Sequence, residues 1–488
     1  MSFCLWSEPN MASADSTRRN FLSHASLGVA RIAAVDLFVR DGTVQGDSPG
    51  TKGLHHPAKA KHVIHIFLGG GLSQVDSFDY KPNLEKYHNK ELPREFGTAD
   101  PFMGKAGRLH KSHYPFRQRG ESGLWMSELF PQLNEVADEL TVINSMVAET
   151  ANHIPGIFQA NTGFRQMGFP AMGSWLSYGL GNLSDNLPSF VVLPDVRGIP
   201  NAAGGSFNWS SGFLPAEHQG VPFNTRGGPP ILDLQPASGL DADAQRERLE
   251  LLAQLNTRHL EQHVHQDLLT ARIRSYELAA RMQAEIPEAM DFSSEPKHIR
   301  KLYGLDRKEC RDTARNCLAA RRLIERGVRT VQLWTGDGVS WDAHGDITGN
   351  GYKSHTGEAL RIDRPVAGLI RDLRQRNLLD STIVMITTEF GRTPYAQAAK
   401  GTLSKGRDHH PEGFTNVLAG GGLKPGFAFG ATDEIGYTAI ENPVTTYDLH
   451  ATVLHLLGID HERLTFYHNG IQRRLTNVHG HVVKEILV

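Results

Sequence analysis

Three short stretches in the C-terminal half of this 488-residue chain carry residues whose types and spacing could do chemistry. "WDAHGD" (341–346) sets Asp342 two residues before His344, with Asp346 next. "TEFGRTP" (388–394) holds Glu389 and Arg392, and "GRDHHPEG" (406–413) places Arg407, Asp408, His409 and His410 side by side. Carboxylates mixed with imidazoles suit a divalent ion such as Zn²⁺, Mn²⁺ or Fe²⁺. The expected ligands are Asp342, His344 and one of His409 and His410, with Asp408 beside them. Spacing leaves open which histidine binds. It also leaves open the plainer reading of a surface His-His turn with a local Arg407–Asp408 salt bridge.

A fourth stretch lies near the start of the fold: "GGGLSQVDSFD" (69–79), with Ser73, Asp76 and Asp79. Backbone N–H groups of a glycine-rich turn can approach an anion closely. Ser73 there is either a nucleophile or the cap of the helix that follows. The planar guanidinium groups of Arg392 and Arg407 have the shape to clamp a phosphate or sulfate.

These stretches need elements that bring them to one place. "KHVIHIFLGGG" reads as a buried strand running into a glycine turn. "ELTVINSMV", "PSFVVLP", "RTVQLWTG" and "STIVMITTEFG" read as further buried strands, separated by helical segments. That alternation predicts an α/β fold with a mainly parallel sheet, whose ligands gather at strand C-terminal ends. Residues 241–286 contain neither Gly nor Pro and predict one long helix or a helical hairpin. His263 and His265 within it point to different faces and do not chelate together. Residues 198–230, dense in Gly, Pro, Asn and aromatics, predict an ordered loop layer over one sheet face.

Composition narrows the function classes. Lys and Arg number 51 against 53 Asp and Glu, a net charge of −2, so nucleic acid is not an expected partner. No apolar run is long enough for a membrane span. Three cysteines cannot build a disulfide framework; Cys310 and Cys317 read as small buried apolar side chains. "STRRNFLSHASLGVARIAAVDLF", with paired Arg18 and Arg19, resembles a twin-arginine export signal. Residues 1–59 are then a leader and linker, and residues 60–488 a single exported domain, periplasmic or extracellular.

"HIFLGGGLSQVDSFDYKP", "MGSWLSYGLG", "NLPSFVVLPD", "WDAHGD", "TTEFGRTP", "GRDHHP" and "DLHATVLHLLGIDHERLTFYHNG" together resemble domain-of-unknown-function family 1501. That sulfatase-like family is similar to the alkaline phosphatase superfamily. The resemblance runs from about His62 to the C-terminus. It implies a three-layer α/β/α sandwich with a mostly parallel sheet. It also implies hydrolysis of a phosphate or sulfate ester, on a small molecule or polysaccharide, assisted by a divalent metal (Zn, Mn, Fe, Mg or Ca). Asp342 and His344 fall at an Asp and a His of one metal site, and His409 or His410 near the last metal histidine. Glu389 falls at the Asp of an Asp-His-Gly turn, but Phe390 replaces its His. The first strand ends in Gly69–Gly71 in place of a ligand Asp, for which Asp76 could substitute. The Cys/Ser-x-Pro-x-Arg signature of formylglycine sulfatases is missing; "SEPKH" ends in His298. Those departures keep a second reading open, a non-catalytic secreted binding protein. A phosphomutase-type transferase is a third.

Overall fold

Nine strands make the central sheet: β1 His62–Leu68, β2 Leu140–Val147, β3 Phe190–Leu193, β4 Val221–Pro222, β5 Thr330–Thr335, β6 Thr382–Thr387, β7 Phe414–Ala419, β8 Phe427–Phe429 and β9 Val444–Thr445. Their order is β8-β2-β7-β6-β1-β5-β3-β4, with β9 also on β2. In this computed structural model the described residues are 53–98, 105–195, 204–231, 242–262, 267–336, 338–398 and 402–488. The paired-arginine leader lies outside them, as do His263 and His265. Residues 51–488 cluster as one unit.

The middle of the sheet is parallel, with β1 between β5 and β6. Only β7 runs against its neighbours, antiparallel to both β6 and β2. This reversal has one consequence for the site: the start of β7 lies at the same sheet edge as the ends of β1, β2, β5 and β6.

Both faces of the sheet are covered. In β1, Ile64, Ile66 and Leu68 point into one core with α5 (Arg311–Glu325) and α6 (His355–Gln375). Val63 points into another core with α2 (Met172–Leu180) and α7 (Thr446–Leu456). All seven residues of β1 are buried, as a strand covered on both faces requires. The fold is a three-layer α/β/α sandwich. Helix α1 (His153–Thr162) follows β2.

The segment read as a long helix or hairpin forms two contacting helices, α3 (Ala242–Gln262) and α4 (Asp267–Ala289). The described part of the aromatic-rich loop packs Trp209 against Trp334 and Phe67 and ends in edge strand β4. Among the described residues, no helix is long and apolar enough to cross a membrane. Cys310 and Cys317 are buried thiols; burial pushes the Cys310 pKa up to about 11 and that of Cys317 higher still.

Candidate metal centre

Backbone approach at the sheet edge decides which side chains meet. Gly70 has φ +120°, and a Cβ there would lie 2.6 Å from the backbone nitrogen of Asp342. Only glycine lets the loop after β5 close onto the end of β1. Gly406 lies against the His344 carbonyl in the same way, and Arg407 N–H donates to the Ala343 carbonyl at 3.0 Å. Residues 391–392 then pair antiparallel with 409–410, Arg392 opposite His409. Successive residues of an extended segment face opposite ways. His409 therefore faces the cluster, and His410 faces away onto the Tyr437 ring at 4.0 Å.

The centre of the site is one oxygen, Asp342 Oδ1. His344 Nε2 lies 2.9 Å from it, His409 Nε2 3.0 Å, His153 Nε2 3.3 Å and the Arg392 guanidinium 2.8 Å. The two imidazole nitrogens of His344 and His409 are 2.9 Å apart. Lys353 reaches the other carboxylate oxygen at 3.0 Å. His153, Asp342 and His409 offer ligand atoms that all lie within 4.8 Å of one another. The cluster is buried except toward His344 and Lys353, whose side chains are 31% and 43% exposed. That is its face toward solvent.

The positions of the ring protons bear on whether the cluster fits a metal. His409 Nδ1 is 2.7 Å from the Ala151 carbonyl, which can only accept, so Nδ1 carries the proton. Burial lowers the His409 pKa to about 3, so the ring is neutral and Nε2 is a lone pair. That lone pair faces a carboxylate oxygen at 3.0 Å, acceptor against acceptor. His153 Nδ1 donates to Glu389 Oε1 at 2.7 Å, and its buried Nε2 makes no hydrogen bond. Burial alone would lower the His153 pKa, but Asp342 and Glu389 raise it on balance. Burial would likewise raise the Asp342 pKa, but the contacts with His153 and His344 and the charge of Arg392 hold it far below the carboxylate range. A cation among these atoms removes the conflict. The Nε2-to-Oδ1 separations approach the roughly 3.3 Å edge of a tetrahedron with bonds of about 2.0–2.1 Å. The donor set fits a zinc-like ion.

The sequence missed His153. It stands alone in "TANHIPG", without a second ligand at metal spacing. The strand-end rule applied to β2 would have found it, because α1 starts at His153 directly after β2's loop.

Several expectations are corrected by where the side chains lie. Arg392 and Arg407 do not reach out to a substrate anion; both are wholly buried. Arg392 donates to the Gly70 and Gly71 carbonyls as well as to Asp342. Arg407 pairs with Asp76 and donates to the His110 and Lys111 carbonyls at 3.1 Å. Ser73 does not face the cluster: its hydroxyl donates to Asp76 Oδ2 at 2.6 Å, and its N–H donates to His355 Nε2 at 2.8 Å. Asp76 belongs to that sealed network and is not brought to the cluster. Its carboxyl is held below the usual range by Arg407 against the effect of burial. Glu389 sits behind His153, and the glycine turn's anion is Glu389 itself, bonded by Gly70 N–H at 2.8 Å. Asp408 lies behind His344, 3.8 Å from its Nδ1. His410 bonds the Tyr437 carbonyl, and burial lowers its pKa to about 4.

Phe390 takes a structural part. Its ring packs on His153 at 5.0 Å and on His409 at 4.8 Å, forming an apolar wall behind the two imidazoles. Beside the Nδ1 side of His409, Ala151, Tyr437 and Glu412 help line a cavity of about 400 Å³.

Fold and site define an α/β protein with a buried cluster of imidazoles around one aspartate. The chain belongs to the family described as "Protein of unknown function (DUF1501)", which matches residues 60–487. No curated protein matches the chain. Solved structures similar to it include alkaline phosphatase from the Antarctic bacterium TAB5, at 9% identity and a TM-score of 0.34, covering 82% of this chain and 98% of that one. A phosphonate monoester hydrolase from Silicibacter pomeroyi is 10% identical, with a TM-score of 0.34, covering 82% and 73%. A sulfatase from Pseudoalteromonas sp. is 12% identical, with a TM-score of 0.34, covering 85% and 74%.

Proposed function

We propose that the chain is a metal-dependent hydrolase of phosphate or sulfate esters with one divalent ion per site. The observation that carries this reading is the convergence of three imidazole nitrogens on Asp342 Oδ1, at least one of them a lone pair facing a carboxylate. His153, Asp342 and His409 would hold the ion, with His344 beside them. The ion would supply a Lewis acid for an ester oxygen and for activation of water.

The other tasks fall to the chain. The Ala151 carbonyl fixes the proton of His409 on Nδ1 and so directs Nε2 inward. Phe390 keeps water from the rear of the ligands. Lys353, on the open side, places an ammonium where an anionic ester would enter. Ser73 is buried and bonded to Asp76, so attack by water fits this arrangement better than a seryl intermediate. The test is metal analysis of purified protein with turnover of a panel of phosphate and sulfate esters. His153→Ala and His409→Ala should bind metal more weakly and lose activity in step with it. Wild type that holds no metal as purified, takes up none when Zn²⁺ is added and turns over no ester would sink the reading.

The sealed Ser73–Asp76–Arg407 network favours a second reading, a secreted binding protein on the same scaffold. Multiple turnover abolished by Asp342→Asn would dismiss it. The Arg18–Arg19 pair supports export through the twin-arginine route. Replacing both with lysine should then hold the chain in the cytoplasmic fraction.

A further inference from the structure

Glu389 occupies the position where the sequence pattern asks for a ligand, yet its carboxylate is already engaged. Gly70 N–H donates to Oε1 at 2.8 Å and to Oε2 at 3.1 Å. The Thr388 hydroxyl shares its proton between the Leu68 carbonyl at 2.9 Å and Oε2 at 3.1 Å, and His153 Nδ1 donates to Oε1 at 2.7 Å. The residue is 1% exposed. Gly156 of α1 lies close over it, since a Cβ there would touch Glu389 Cβ and Cγ at 3.4 Å. To ligate an ion, Glu389 would have to abandon these donors.

We infer that Glu389 is a positioning residue and not a ligand: it fixes the tautomer and the aim of His153. This rests on the reading of the cluster as a metal centre. A carboxylate on one ring nitrogen keeps the proton there and leaves the other nitrogen as a ligand lone pair. Here the Glu389 bond holds Nδ1, Phe390 holds the ring face, and Nε2 is left pointing at Asp342. Gly70 completes the device. Its N–H, which could have cradled a substrate anion, anchors Glu389 and ties the end of β1 to the start of α1.

The experiment is calorimetric Zn²⁺ titration of wild type, Glu389→Gln, His153→Ala and the double variant. Glu389→Gln should weaken Zn²⁺ binding about 10–100-fold. On the His153→Ala background the same change should matter by less than about 2-fold, because the residues act through one another. Cobalt-substituted Glu389→Gln should keep the wild-type coordination number in its visible spectrum. In ¹⁵N-labelled, zinc-loaded wild type, His153 should carry its proton on Nδ1, a readout that needs no variant to fold. Wild-type affinity in Glu389→Gln, additive losses in the double variant, a lost cobalt ligand or an unprotonated Nδ1 would each overturn the inference. Wild type that binds no Zn²⁺ would sink the metal-centre reading along with it. Wild type that binds while Glu389→Gln binds equally well would sink this inference alone.

Discussion

Asp342 and Asp76 lie at the same edge of the sheet, both buried and both beside a buried arginine. Their surroundings differ in the balance of protons. Asp76 accepts from the Ser73 hydroxyl, from His113 N–H at 3.1 Å and from Arg407 on both oxygens. Every neighbour brings a proton, so the carboxylate is satisfied. Asp342 also has Arg392 and Lys353, but His409 turns a lone pair on it. The first arrangement is complete without a ligand; the second leaves an imidazole lone pair against a carboxylate oxygen, and the metal-centre proposal rests on that difference.

Breaking each carboxylate's surroundings should give opposite results. Arg407→Met strands Asp76 as a buried charge and should cost about 3–5 kcal/mol in denaturant unfolding. The folded fraction should bind metal as wild type does. That cost should shrink under acid. The Asp76 pKa is depressed, so its stabilisation is present above the unfolded value near 4 and is lost as pH falls below it. Asp342→Asn should do the reverse, weakening metal binding more than about 100-fold, beyond the loss expected for an outer partner. A fall in stability matching that of Arg407→Met, with metal retained, would erase the distinction. Ser73→Ala removes one donor from Asp76 and should cost about 1 kcal/mol, with turnover within about twofold of wild type. A thousandfold loss of turnover would restore Ser73 as nucleophile. The smallest effect is expected from His410→Phe, which keeps a ring against Tyr437 and should leave Zn²⁺ affinity within about twofold.

The fold was largely legible because its strands are buried on both faces and read as apolar runs. The strands not read were β4, β8 and β9, each two or three residues long, and the six-residue β7. Its Thr415 and Asn416 break the apolar pattern, and both are satisfied inside the sheet, Thr415 by Asn144 and Asn416 by Thr388 N–H. Residue type at strand ends pointed to Asp342, His344 and His409, and the fold brings these three side chains together. Arg392 and Arg407 were misread because residue type does not reveal burial; backbone carbonyls fill the places where an anion was expected. His153 was passed over because its partners are distant in sequence, Glu389 lying 236 residues away.

The direction of β7 also sets an order of assembly. His409 comes to the cluster just before a strand whose residues 414–419 lie between β2 and β6, and its loop is tied as well by the 391–392 pairing and by Arg407. A nascent chain that has emerged only through β6 holds His153 and Asp342 but cannot close the ligand set. On the metal-centre proposal, loading of the ion would therefore wait until the chain beyond His409 is synthesised, before β8 and β9 complete the sheet.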